Sequence, residues 1–301
     1  MTDTQHGRTS GARHILRREI AGTLGLVADE HDFTQMRRYR SFTFDDHTAY
    51  LRQVEALLKS LAAAGGHTTV ALFDPEDYAE FCADTGLEPD TPASRTRFTA
   101  ELASTGPSLP YEGQPLADLV PDLVEEAVRQ ATWEYASSVL ARTGSCAVCG
   151  QDIGRAAFAR ASYLVARVID TIGAGRHHWV CSVPMGKQML LTVLHIDAAT
   201  AGTVRLEETA AMELTTLLAL ALVTGNACAL IVRTTADDSD RVYGWRLKDE
   251  RLRQLTAAQV FDAYCTDAAS GDLTAPEPGV DYCTAPEVPD AAPENHHRHR
   301  P

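Results

Sequence analysis

The stretch Met212–Val232 constrains this chain more than any other. Its unbroken apolar run, Leu217 to Val223, falls far short of the ~20 residues that a membrane span requires. Glu213, Thr215 and Thr216 precede that run, and Gly225-Asn226 follows it as a helix stop. The segment therefore reads as a buried helix over Glu207–Val223, then a buried strand over Ala229–Thr235. No membrane span is expected.

The neighbouring segments supply partners for these two elements. A long amphipathic helix is expected from Asp118 to Ala141, and a second from Arg155 to Ile172. Alternation predicts a hairpin of Trp179–Val183 with Met189–Ile196, turning through Pro184–Lys187. A further strand, Val242–Leu247, returns after the acidic turn at Asp237, Asp238 and Asp240, and Thr256-Ala-Ala-Gln259 is a capping box opening a last helix. Upstream, a helix is expected from Ala12 towards Val27, and another beginning near Asp45 and ending at Gly65-Gly66. Thr68–Phe73 then reads as a buried strand, and Asp74-Pro75 as a capped helix start. Asp74 at the end of a strand is also a place where α/β proteins bind ligands, although capping explains it as well.

The fold class expected is α+β and helix-rich: one N-terminal α/β unit, and a C-terminal antiparallel sheet of hairpins packed by helices. The boundaries follow: 1–12 disordered, 13–110 the N-terminal α/β region, 111–267 the second α+β region, and 268–301 a disordered tail. That tail is acidic and holds six of the 14 prolines, with little to bury, which is the reason for expecting disorder.

Acidic residues outnumber basic ones, 41 to 27, for a formal charge of −14. A field of that sign opposes nucleic-acid phosphates and anionic membrane surfaces. Only three of the 27 basic residues are lysine, a bias of GC-rich codon usage such as actinobacteria show. The first 15 residues hold no apolar stretch, so no export signal is expected and the protein is placed in the cytoplasm. Seven cysteines, an odd number, then point to reduced thiols or metal ligands.

Two of these thiols stand in Cys146-Ala-Val-Cys149-Gly150, a spacing that resembles a zinc knuckle. The tight turn lets both sulfurs converge on one cation, and glycine supplies the left-handed backbone that closes it. His178-x-x-Cys181 offers the second pair, with His177 and His195 as alternates. The expectation is one structural zinc held by Cys146, Cys149, His178 and Cys181. The ordinary alternatives are buried cysteines at a helix start and polar histidines on a strand edge; thioredoxin-like redox chemistry is a third. Phosphate-loop, dinucleotide, nucleophile-elbow and zinc-hydrolase motifs are absent. The function expected is an accessory or regulatory protein that binds an unidentified protein partner, with the balance leaning away from an enzyme; an oligomer is possible. A metal-dependent hydrolase using the Cys/His cluster, or a small-ligand sensor, are the other readings.

Overall fold

A computed structural model describes residues 22–198, 203–236, 239–266 and 272–289. The chain is α+β and divides into two compact units, Met1–Gln130 and Ala131–Pro301.

In the first unit, β1 (Gly22–Leu26) pairs parallel with β2 (Thr68–Leu72), and β3 (Ser108–Pro110) pairs antiparallel with β2. The helices are α1 (Glu30–Met36), α2 (His47–Ala63), α3 (Pro75–Thr85), α4 (Pro92–Thr105) and the first half of α5 (Leu116–Arg142). The structure corrects the helix expected from Ala12 to Val27: residues 22–26 form a strand, and residues 12–21 lie outside the described residues. Gly22 and Gly25 weaken a helix there, and the ladder to β2 satisfies the backbone instead. Asp74 caps α3, accepting hydrogen bonds from the Glu76 N–H at 2.6 Å and the Asp77 N–H at 3.2 Å, with Pro75 in the first turn. Such a cap contributes about 1 kcal/mol.

The expected boundary near residue 110 also shifts. Leu116, Leu119 and Leu123 of α5 join the core of the first unit, while Ala136 and Leu140 of the same helix join the core of the second. One helix therefore contributes to both units, and the division falls within it, after Gln130.

The second unit is a seven-stranded mixed sheet packed by helices. Its strands are β4 (Arg176–Met185), β5 (Gln188–Asp197), β6 (Arg205–Leu206), β7 (Cys228–Ala236), β8 (Ser239–Lys248), β9 (Arg251–Gln254) and β10 (Val280–Tyr282). The order is β10-β8-β7-β4-β5-β6, with β9 also on β8. Helices α6 (Ile153–Ile172) and α7 (Glu208–Thr224) pack on one face of it. Strand alternation decides which residues meet them: Trp179, Cys181 and Val183 of β4 and Leu190, Leu194 and Ile196 of β5 are buried in that core. The run Leu217–Ala221 of α7 is buried throughout, as its uniform apolarity requires. On the opposite face, α8 (Ala257–Tyr264), opened by the Thr256–Gln259 capping box, places Val260 with Val242, Ile231 and Val280. That cover does not extend to β5, where Met189, Leu191 and Val193 are exposed.

The tail expected to be disordered from Ala268 instead contributes to this unit over its described part. Residues 280–282 form β10, parallel to β8, and Ala285 and Val288 are buried in the main core. The Pro286 carbonyl accepts from the Trp245 indole N–H at 3.0 Å, and the Ala285 carbonyl from Gln254 Nε2 at 2.7 Å. A few apolar residues among prolines suffice because the sheet edge and Trp245 supply the partners. Residues 1–12, 267–271 and 290–301 lie outside the described residues.

Candidate functional site

The turn linking α5 to α6 has the closed form expected of the Cys-x-x-Cys-Gly segment. The Cys146 N–H donates to the Gln151 carbonyl and the Gly150 N–H to the Cys146 carbonyl, both at 2.8 Å. Gly150 sits at φ 72°, the left-handed conformation that glycine adopts without strain. Asp152 then caps α6 through the Arg155 N–H at 2.7 Å. Cys146 is buried and Cys149 exposed.

The other two expected zinc ligands are not beside this turn, and they are not beside each other. Helix α6 has 20 residues, so it carries the chain about 30 Å before β4 begins. His178 and Cys181 are three residues apart on β4, and strand alternation sends them to opposite faces. Cys181 is fully buried in the helix-facing core, 3.7 Å from the Cys228 sulfur. That hydrogen bond, and then burial, push its thiol well above the usual range and keep it protonated. The structure therefore corrects the set Cys146, Cys149, His178 and Cys181: it does not bring these four together. Among the described residues, no group of three or more His, Cys, Asp or Glu side chains is placed to share a metal ion.

The two alternate histidines separate in the same way. His177 faces the core, with Nδ1 2.8 Å from Thr234 Oγ1, which in turn lies 2.6 Å from the Tyr243 hydroxyl. Burial lowers its pKa below the ordinary value, against smaller opposing effects of the Gly173 carbonyl and Asp197. It is a satisfied core histidine. His178 instead faces the open side of the sheet and stands in register with His195 on β5 and Arg233 on β7. Its Nδ1 lies 2.8 Å from His195 Nε2, with ring centroids 4.7 Å apart. Burial, then His195 and Arg233, lower the His178 pKa, which favours its neutral imidazole.

This pair opens onto a cavity of about 780 Å³ at the end of the sheet. Arg176, one pair further along β4, stands opposite Asp197 on β5, and Asp197 stands opposite Arg205 on β6. Glu207 closes the wall before α7, and Arg233 forms the other side. Arg233 is held from behind: Nε donates to Asp240 at 2.9 Å, and the two terminal nitrogens reach both oxygens of Glu277 at 2.8 and 2.9 Å. Arg233 holds the Glu277 carboxyl below its usual range, and the Thr235 hydroxyl followed by Arg233 does the same for Asp240. Asp240, expected within an acidic turn, is thus an arginine partner; Asp237 and Asp238 lie outside the described residues.

Fold and site together define an α+β chain with an open cavity, lined by charged and apolar side chains, at the end of its larger sheet. Residues 11–114 match the family model described as a Domain of unknown function (DUF8829). The cavity lies outside that matched segment. No curated protein and no solved structure matches the chain. Among the described residues, no helix is long and apolar enough to cross a membrane.

Proposed function

We propose that the chain binds a small polar ligand in the sheet-end cavity and acts as a ligand-responsive regulatory protein. The carrying observation is the convergence of three imidazoles, of which His177 is buried, and three guanidiniums on one open cavity of about 780 Å³. That volume suits a metabolite-sized molecule, and a few placed polar groups are what such sites use to orient one. Ile196 and Leu206 supply apolar wall between those groups. The test is a thermal-shift screen of charged metabolites against the full chain and against His195→Ala. His195 is exposed, so its loss leaves the core intact. A ligand that raises the melting temperature of the parent and not of His195→Ala is the expected result; ligands that stabilise both equally would place binding elsewhere.

A second reading, docking of another protein, is favoured by a separate observation. Met189, Leu191 and Val193 are 56, 47 and 37 % exposed in a row on one face of β5. The outer edge of β5 is paired with β6 only at Ile196 and Asp197. A second copy of this chain is the partner to test first, since an edge strand pairs readily with its own symmetry mate. Sedimentation velocity is expected to show association that Leu191→Glu abolishes; a monomer at all concentrations removes this reading.

A further inference from the structure

We propose that the cavity takes the oxyanionic group of its ligand together with one proton, which the His178–His195 pair accepts. This rests on the reading that the cavity is a ligand site, and it adds the ligand's chemical class and the control of its binding.

The argument is one of charge balance. The fixed positive groups at the cavity stand among carboxylates. Arg176 and Arg205 flank Asp197, with Glu207 on the same wall. Arg233 is taken up by Asp240 on β8 and by Glu277 of the C-terminal segment. With both histidines neutral, three guanidiniums stand against the four carboxylates Asp197, Glu207, Asp240 and Glu277, so a proton on the pair is needed before an anion can enter without net repulsion. Imidazole is the side chain suited to a change of charge between pH 5 and 8, and of the three that line the cavity His177 is buried and bonded to Thr234, which leaves the His178–His195 pair.

The geometry of the pair sets how many protons it takes. Two neutral imidazoles carry two ring protons on four nitrogens. One of these protons lies in the bridge between His178 Nδ1 and His195 Nε2. The ring that donates the bridge has a bare outward nitrogen, and the ring that accepts it carries its proton outward. A third proton fills the bare nitrogen. The bridge then becomes charge-assisted, and both outward nitrogens, His178 Nε2 and His195 Nδ1, are donors. A fourth proton would set N–H against N–H across the 2.8 Å bridge. The pair is therefore built to accept one proton, and in doing so it changes from one outward donor to two. The added charge and the added outward donor, beside Arg176, suit an oxygen of a carboxylate, phosphate or sulfate.

Linkage gives the sign. Burial, His195 and Arg233 hold His178 below its ordinary value in the free protein. A bound anion favours the charged pair, so it raises that value, and affinity rises as pH falls towards it. With one proton taken up per anion, affinity drops by up to about tenfold per pH unit above that value.

Sulfate is the probe of choice because its charge does not change between pH 5 and 8. The imidazole Cε1 protons of the full chain are followed by NMR in sulfate and in chloride of matched ionic strength. Histidine resonances are assigned with His178→Gln and His195→Gln. The expected result is a higher pKa for the pair in sulfate, and sulfate affinity about tenfold lower at pH 7.5 than at pH 6.5. Both effects should vanish in either variant, while the His177 resonance stays in place as the sign of an intact core. Sulfate binding with equal affinity at both pH values would overturn the proton coupling and leave the ligand site standing. No sulfate effect on the pair at any pH would overturn the anion assignment, and a neutral or cationic hit in the thermal screen would then keep the cavity as a site for other chemistry. Failure of that screen as well would remove the site itself.

Discussion

Truncation after Thr266 is expected to destabilise the second unit by several kcal/mol. The indole N–H of Trp245 loses the Pro286 carbonyl, its hydrogen-bond acceptor among the described residues. Trp245 is fully buried, and leaving a buried donor unsatisfied costs roughly 1–3 kcal/mol. Burial of Ala285 and Val288 and the β10 ladder on β8 are lost with it. The solvent-exposed Arg233–Glu277 pair adds little, because water screens surface ion pairs. At roughly 2–4 °C per kcal/mol for a unit of this size, the melting temperature should fall by about 10 °C. Truncation after Pro289 leaves every one of these contacts in place and is the control. Equal melting temperatures for the two truncated chains would show that the segment does not contribute as its packing requires.

Gly154→Ala is expected to be the most disruptive single-methyl change in the second unit. Gly154 lies in the first turn of α6, where a Cβ would stand 2.5 Å from the Leu140 carbonyl oxygen and 3.0 Å from its carbon. Both atoms are backbone of α5, so no side chain can turn aside. The two helices must separate, and Ala136, Leu140, Ala157 and Ala161 of their shared core would lose contact. Overpacking of this kind costs about 1–3 kcal/mol, occasionally more. Gly22→Ala is the control, since nothing lies within 4 Å of a Cβ there. Chemical denaturation of both variants checks the claim; a Gly154→Ala protein within about 0.5 kcal/mol of the parent would show that α5 and α6 have slack at their crossing.

Local chemistry made much of the fold legible. Asp74-Pro75, Thr256…Gln259 and Gly225 each act within one turn of helix, and each stands where the sequence places it. The same holds for the Cys146–Gly150 turn, whose closure depends only on its own backbone and on Gly150. Elements defined by few residues were less legible. β1 has only five residues and two glycines, so its character as a strand comes from pairing with β2, not from its own pattern. The segment at 280–288 lacks periodicity for the same reason.

The candidate site divides along the same line. His178 and His195 were visible as alternates for a metal set, but the partner each would find was not. A Cys/His spacing states how many residues separate two ligands and says nothing of the side of the sheet each faces. Arg176 and His178, like His195 and Asp197, are alternate polar residues at the ends of otherwise apolar strands. That signal becomes readable once β4 is known to begin at Arg176, and not at Trp179 as expected from alternation alone.

What the sequence determined by itself is therefore local: helix starts and stops, the turn at the cysteine pair, the burial of the Leu217–Ala221 run of α7, and an α+β class. What only the tertiary structure decided is which face and which neighbour. Cross-strand register set His178 against His195 and Cys181 against the core. The order β7-β4-β5-β6 brought Arg233, Arg176 and Arg205 from three distant stretches of chain to one cavity. The physical reason is that caps and turns are closed by bonds spanning a few residues, whereas a binding site is closed by pairing across tens of residues, which no local spacing records.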